Sequence, residues 1–353
     1  MSNNIISFIM INIYILVPID IILVLWIFYL VIRYKLYARK YSNMYNIMKP
    51  IVIEYINNNY LGRSLKNNRK KFKYEIIMDI MLDYVKENNV NIYEKFEELG
   101  YVDYLINKDQ KNITLKTIEN LSFIKSPRAY NILRKGTKSN NFEIKYMSLY
   151  ALSLIKLDNS KTERIINKMI TSGIMRDRQI EIVNNFNLSI EECLELLEVQ
   201  STDMGRVILI RAIINSKEVI KEEHADRLVN YLSEQREVRI ATILALASSK
   251  NVKYLDVIIG VYTREPLWEV RAAIAKALIN FQGEDIMIPL KTMVYDDQWW
   301  VRFNAVEVLA RLGDKGVNIL IDLSLDLNNE KVSNLAYYML NSNKNVYHTI
   351  QNI

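Results

Sequence analysis

One pattern returns along most of the 353-residue chain at intervals of 30 to 33 residues, and it limits the possible fold more than any other feature. Aligned on the apolar position held by Val270 in LWEVRAAIAKALINF (Leu267 to Phe281), the copies begin at Ile113, Ile144, Met175, Gly205, Val238, Val270, Val301 and Val332. Eight residues further on stand Leu121, Leu152, Val183, Ile213, Leu246, Leu278, Leu309 and Leu340, all aliphatic. One residue before these come Ala151, Ile182, Ala212, Ala245, Ala277, Val308 and Met339, with Asn120 as the exception in the first copy. Offsets four, seven and eight share one side of a helix with 3.6 residues per turn, so each copy predicts an amphipathic helix with a contact line of small side chains. No such unit buries its apolar face alone. A fixed period of this size therefore predicts an all-α solenoid in which stacking makes the core continuous.

The segments VRIATILALASS, VRAAIAKALINFQG and VRFNAVEVLARLGDKG resemble the second helices of HEAT-like repeats, the short bacterial kind. In the third, Gly313 fits the left-handed position that ends a helix, and Asp297 fits an N-cap ahead of Val301. The next stretch, from Val317, supplies the first helix of the following hairpin. By period the resemblance covers about Tyr101 to Ile353, and by motif Val238 to Gly313. It implies a solenoid of about eight repeats over residues 101–353, preceded by a basic helical cap at 36–100 and an amino-terminal membrane segment with its flank at 1–35.

Composition agrees with that organisation. Nine Gly and five Pro leave little turn chemistry for a sheet-rich fold and no long flexible linker. The single Cys193 excludes an intrachain disulfide framework and fits a reducing compartment.

Ile5 to Ile32 is apolar apart from Ser7, Asn12, Pro18 and Asp20, long enough for a transmembrane helix of roughly 20 residues. The start MSNN has no basic residue and no small-residue cleavage site follows, so a retained anchor is expected rather than a cleaved signal peptide. Arg33, Lys35, Arg39 and Lys40 follow at once. The positive-inside rule then predicts a single-pass inner-membrane protein with its amino terminus outside and its repeats in the cytoplasm. Trp26, Tyr29, Tyr34 and Tyr37 suit the interfacial belt. For Asp20 two readings are open: contact with another membrane protein, or a place near the outer interface.

Residues 33–73 carry eleven Lys or Arg and one acid, Glu54, whereas residues 74–353 carry a net charge of −3 within a chain total of +6. The basic character is thus local to the membrane-proximal segment. An anionic lipid surface attracts such a segment by about 1 kcal/mol per basic side chain. A solvated loop at Arg63 to Lys73 is the alternative. Tyr45 to Tyr60 and Phe72 to Val85 have helical spacing and predict a capping hairpin. Nucleic acid is not an expected partner, because that role would need the positive face on the repeats.

Chemistry is harder to assemble. Two histidines, His224 and His348, and one cysteine make no zinc cluster, HExxH helix or Cys/His pair. No phosphate-binding glycine loop or GxSxG turn is present. Acid pairs such as Asp296 and Asp297 read as helix-start charges, and His224 as a surface residue. No catalytic residue, metal or cofactor is expected, and the chain reads as a non-enzyme.

Two linear features carry the candidate site. The residue after each aligned position is basic in six consecutive copies: Lys145, Arg176, Arg206, Arg239, Arg271 and Arg302. In HEAT-like families the matching Arg commonly bonds an acidic turn residue, and Glu237, Glu269 and Asp297 lie close in sequence. The column is therefore either a structural ladder or a cationic stripe for an acidic segment or lipid headgroups. Trp268 and Trp299 occupy the same offset in adjacent copies, with Trp300 beside the second. They either pack between hairpins or form an exposed binding spot.

These features predict a membrane-tethered cytoplasmic scaffold or adaptor that binds a protein partner. The partner is expected to be an inner-membrane or membrane-associated enzyme. Anchored bacterial proteins of similar layout accompany envelope and exopolysaccharide machinery, glycosyltransferases included. Phycobilin lyases and HEAT-like DNA glycosylases use similar repeats and stand as alternatives. The apolar anchor and absent catalytic motif weigh against the first, the negative charge of the repeats against the second.

Overall fold

The computed structural model describes residues 2–58, 71–108, 113–281 and 283–342, with side chains from Pro18 onward except that of Lys71. Among the described residues every regular element is an α-helix or a short 3-10 turn, and there is no strand. The chain divides into two compact units, Met1–Met147 and Ser148–Ile353.

In the first unit α1 (Ser2–Asn58) is one long helix. Its second half packs on α2 (Lys71–Asn88). Met48, Val52, Tyr55 and Ile56 recur on one face of α1 and are buried, as are Ile76, Ile77, Ile80 and Met81 of α2. Tyr41 donates to Asp79 at 2.6 Å and Tyr45 to Asp83 at 2.8 Å, both across 38 residues of sequence. A constant separation means that α1 and α2 run in the same direction. The two helices of the expected cap are present, but as a parallel pair and not as a hairpin. Farther on, α3 (Tyr93–Glu98) is tied to the end of α1 by the Tyr55 hydroxyl on Glu98. Then come α4 (Tyr101–Lys108), α5 (Leu115–Ile124) and α6 (Tyr130–Gly136).

The first part of α1 differs from the second. Ile19 to Ile32 expose apolar side chains around the whole helix. The earlier part of the expected span, Ile5 to Val17, lies outside the described side chains. Among the described residues no helix is long and apolar enough to cross a membrane.

α7 (Phe142–Ser153) bridges the division between units. The second unit then alternates first and second helices of hairpins: α8 (Asn159–Ile170) with α9 (Arg176–Asn185), and α10 (Ile190–Val199) with α11 (Asp203–Asn215). Next come α12 (Glu222–Val229) with α13 (Arg236–Ser248), and α14 (Lys253–Tyr262) with α15 (Trp268–Ala277). The last pairs are α16 (Met287–Met293) with α17 (Trp299–Arg311), and α18 (Gly313–Ser324) with α19 (Glu330–Ser342). Successive second helices, α9, α11, α13, α15, α17 and α19, pack against one another in order.

The periodic residues fill that core. All eight side chains at the eighth offset, Leu121 to Leu340, are buried, and so are all eight at the seventh, including Asn120. Each aliphatic side chain removed from water there contributes about 2 kcal/mol. Within the second unit one copy departs from the alignment. Met175 is 73% exposed, and its neighbour Ile174 is buried in its place. The cause is local: α9 begins at Arg176, after the aligned position, whereas α11, α13, α15, α17 and α19 each begin two residues before theirs.

Gly313 has a φ of 66°, as expected of a helix-ending glycine, and it turns the chain from α17 into α18. Three residues later the backbones nearly touch. A Cβ at Gly316 would lie 1.9 Å from the carbonyl oxygen of Leu309, so only glycine fits, while a Cβ at Gly260 on α14 would meet nothing. Gly316→Ala is expected to lower unfolding stability by about 2 kcal/mol or more, since backbone must move. Gly260→Ala is expected to raise it by about 0.5–1 kcal/mol through helix propensity. Urea unfolding of the two variants measures both.

Candidate functional site

The edge formed by the turns between first and second helices gathers most of the candidate residues, and arginines knit it together. Arg239 donates from Nη1 to the backbone carbonyl of Glu234 at 2.8 Å and from Nη2 to the carboxylate of Glu265 at 3.0 Å. Arg271 repeats the arrangement one hairpin later. Its Nη1 meets the carbonyls of Glu265 and Pro266, and its Nε and Nη2 form a two-pronged pair with Asp296 at 2.8 and 3.0 Å. Arg206 bonds the carbonyl of Gln200 and the carboxylate of Glu234. Arg302 bonds the carbonyls of Asp296 and Asp297.

A turn acid is therefore used twice. Its carboxylate takes the arginine of the preceding hairpin, and its carbonyl takes the arginine of its own. The pairs are shielded as well as aligned: the side chains of Arg271 and Asp296 are 17% and 5% exposed. Burial alone would raise the Asp296 carboxyl, but hydrogen bonds from Arg271, the Gln298 amide and Tyr262 outweigh it and hold the group below the usual carboxylate range.

The column is thus a ladder over four of its six residues. Arg176 stands on the late-starting α9 and instead pairs with Glu237 at 2.9 Å, both groups being exposed. Lys145 lies in the first unit. The acids differ from those nearest in sequence as well. Glu234, Glu265 and Asp296 are the rungs, whereas Glu237 and Glu269 pair with Arg176 and Arg236, and Asp297 contributes its carbonyl. The N-cap of α17 is Gln298 and not Asp297, and the Gln298 amide donates to the Asp296 carboxylate. Glu234, Glu265 and Asp296 recur at the repeat period, a signal in the sequence that locates the true rungs.

Arg302 ends the ladder. It is 9% exposed, and among the described residues its buried Nε has no hydrogen-bond partner. The acid at the next turn, Asp326, instead accepts the Tyr295 hydroxyl at 2.9 Å and the Asn328 amide.

The aromatic residues stand in front of this frame. Trp268 is the first residue of α15, and Trp299 and Trp300 open α17, the helix packed beside it. They are 37%, 46% and 53% exposed, so they do not fill the space between hairpins. Trp299 stacks on Phe303 with ring centres 4.9 Å apart and meets Trp300 edge-on at 4.7 Å. Trp299 and Trp300 are thus each held by another ring while about half of each stays exposed.

Elsewhere the candidates scatter. Asp20 is exposed on α1. His224 is not a surface residue: it is 8% exposed, and its Nδ1 accepts the Lys221 amide at 3.3 Å at the start of α12. Cys193 is buried, and that burial pushes its thiol up to about 12, so no thiolate forms at neutral pH.

A family model for HEAT repeats matches residues 258–341, the hairpins that carry the indoles and the last rungs. A search of curated proteins finds no match to the chain. Over that stretch the repeats are HEAT-like, and repeats of this kind generally build helical scaffolds for protein interaction.

Removing one partner of a shielded ion pair strands the other. Arg271→Ala is accordingly expected to cost about 3 kcal/mol of unfolding stability. Arg176→Ala, at an exposed pair, is expected to cost less than about 1 kcal/mol. Because the folded-state pKa of Asp296 is depressed, its contribution is present above about pH 4 and is lost as pH falls through the lowered value. Asp296→Asn should therefore lower stability at neutral pH and flatten the acid limb of the stability profile. Denaturant unfolding at several pH values measures all three variants.

Proposed function

We propose that this chain is a scaffold of HEAT-like repeats, tethered to the inner membrane by its amino-terminal segment, that holds a protein partner on the turn edge of its last hairpins. The observation that carries the partner site is the exposure of Trp268, Trp299 and Trp300 on the first turns of two helices packed side by side. Exposed apolar patches of this kind mark interaction sites, and tryptophan dominates the energy of such contacts. The arginine ladder beneath the patch fixes the turns that present it. A partner then loses less binding energy to ordering the surface.

The tether is supported by Ile19 to Ile32, whose apolar side chains are exposed among the described residues, and by Arg33, Lys35, Arg39 and Lys40, which follow directly. A helix apolar on all sides needs a nonpolar surrounding. The order of apolar and basic stretches then sets the repeats in the cytoplasm. Basic residues of 33–73 add attraction to an anionic leaflet.

Two experiments separate tether from docking. Full-length protein should sediment with membranes and resist alkaline extraction, while a chain lacking residues 1–32 should be released. Release of the full-length chain by alkali would remove the tether. Photocrosslinking from position 268 in native membranes should capture a discrete partner, and Trp299→Ala with Trp300→Ala should lower its yield about tenfold or more. An unchanged yield would remove the aromatic edge as the docking surface.

A further inference from the structure

The aromatic edge is one part of a longer exposed ridge whose charge is not balanced. Leu267 and Trp268 lie at the α14–α15 turn, Tyr295, Trp299 and Trp300 at the α16–α17 turn, and Leu327, 97% exposed, at the α18–α19 turn. The turns are joined to one another: Tyr262 and Arg271 reach Asp296, and Tyr295 reaches Asp326. The ridge is therefore one surface rather than three separate tips.

Its cations are largely spent inside the frame. Arg271 is held by Asp296, and Arg302 is buried against two carbonyls. Its acids are not all spent. Asp297 is exposed and offers the frame only its carbonyl, and Asp326 accepts from neutral donors alone, the Tyr295 hydroxyl and the Asn328 amide. Arg264 lies on the first turn, and the exposed Lys291 and Lys331 flank the second and third, where the exposed Asp297, Asp322 and Glu330 and the half-buried Asp326 outnumber them, so the surplus negative charge lies toward the third. Exposed indoles on the same turns as carboxylates that no described cation neutralises suit one kind of side chain. An ammonium or guanidinium group gains from both the ring quadrupole and the carboxylate.

We propose that the partner segment taken by this ridge is a cationic one, with Lys or Arg interleaved with apolar residues. This rests on the aromatic edge being the docking surface and names the chemistry of what docks there. An acidic segment would meet Asp297 and Asp326 as like charges. An anionic lipid surface would do the same, and would bury those carboxylates without partners.

The test uses full-length protein in a nonionic detergent, with protein-free micelles as the blank. Fluorescent synthetic peptides of equal length alternate Leu with Lys, with Ser or with Glu. The Lys/Leu peptide should bind at least about tenfold more tightly than the Glu/Leu peptide, with an affinity that falls as salt rises. Asp297→Asn with Asp326→Asn should bring the Lys/Leu affinity down to that of the Ser/Leu peptide and leave Ser/Leu binding unchanged. Trp299→Ala with Trp300→Ala should weaken all three. Equal binding of Lys/Leu and Glu/Leu peptides, or a Lys preference that survives the Asn changes, overturns the cationic assignment. If the Trp changes weaken every peptide while charge makes no difference, only that assignment falls. If the Trp changes alter nothing, the aromatic edge falls with it. Vesicles of neutral or anionic lipid that displace the Lys/Leu peptide from wild type would give the ridge to a membrane, and displacement by a second copy of the chain would give it to self-association. Either result also overturns the proposal.

Discussion

Arginine fastens the turns of this scaffold to one another. A turn that leads into a helix leaves carbonyl groups that no helix satisfies, and a guanidinium can take such a carbonyl with one nitrogen while presenting two more to a carboxylate. Arg271 does this, spanning the Glu265 and Pro266 carbonyls and the Asp296 carboxylate. Because Glu265 and Asp296 each serve two arginines, one through the side chain and one through the main chain, no rung is independent of its neighbours. A lysine has three donors on a single atom and cannot make that fork. The ladder is thus a device of Arg206, Arg239, Arg271 and Arg302.

Much of the architecture is legible in the sequence, since apolar spacing reports which side of a helix is buried. Leu121 through Leu340 are buried because an aliphatic side chain repeated at a fixed offset has no other use in a stack. What periodicity cannot report is where a helix begins. α9 starts late, which exposes Met175, buries Ile174 and turns Arg176 away from the column toward Glu237. Nor does proximity in sequence report which acids a guanidinium reaches. Glu237, Glu269 and Asp297 lie closest to the arginines in sequence, yet the fork reaches back across the turn and forward into the next hairpin, where Glu234, Glu265 and Asp296 stand. Composition marks a lone histidine among charged residues as exposed, whereas the His224 ring is buried and accepts a backbone amide at a helix start. The exposure of Trp299 and Trp300 could not be settled from size and apolarity alone, because a core and an interface ask for the same residue.

The two units place different demands on their surroundings. In the first, α1 keeps a face for α2 along its second half and leaves Ile19 to Ile32 uncovered, a stretch that water solvates poorly. In the second, Trp268, Tyr295, Trp299 and Trp300 stay exposed at turns that the ladder holds, while other exposed apolar side chains, such as Met175, Ile288 and Tyr337, are scattered singly. The first pattern suits a lipid environment and the second a partner protein, which is why tether and docking edge are assigned to separate parts of the chain.

If the ladder fixes the turn edge, its turns should open rarely on their own, and the turn outside the ladder should open often. Hydrogen exchange read by mass spectrometry on wild-type protein compares the turns at residues 262–268 and 293–299 with the turn at 171–176. The account predicts that the two laddered turns exchange slowly, close to the helices they join, and that the third exchanges much faster. Equal exchange at all three turns would contradict it.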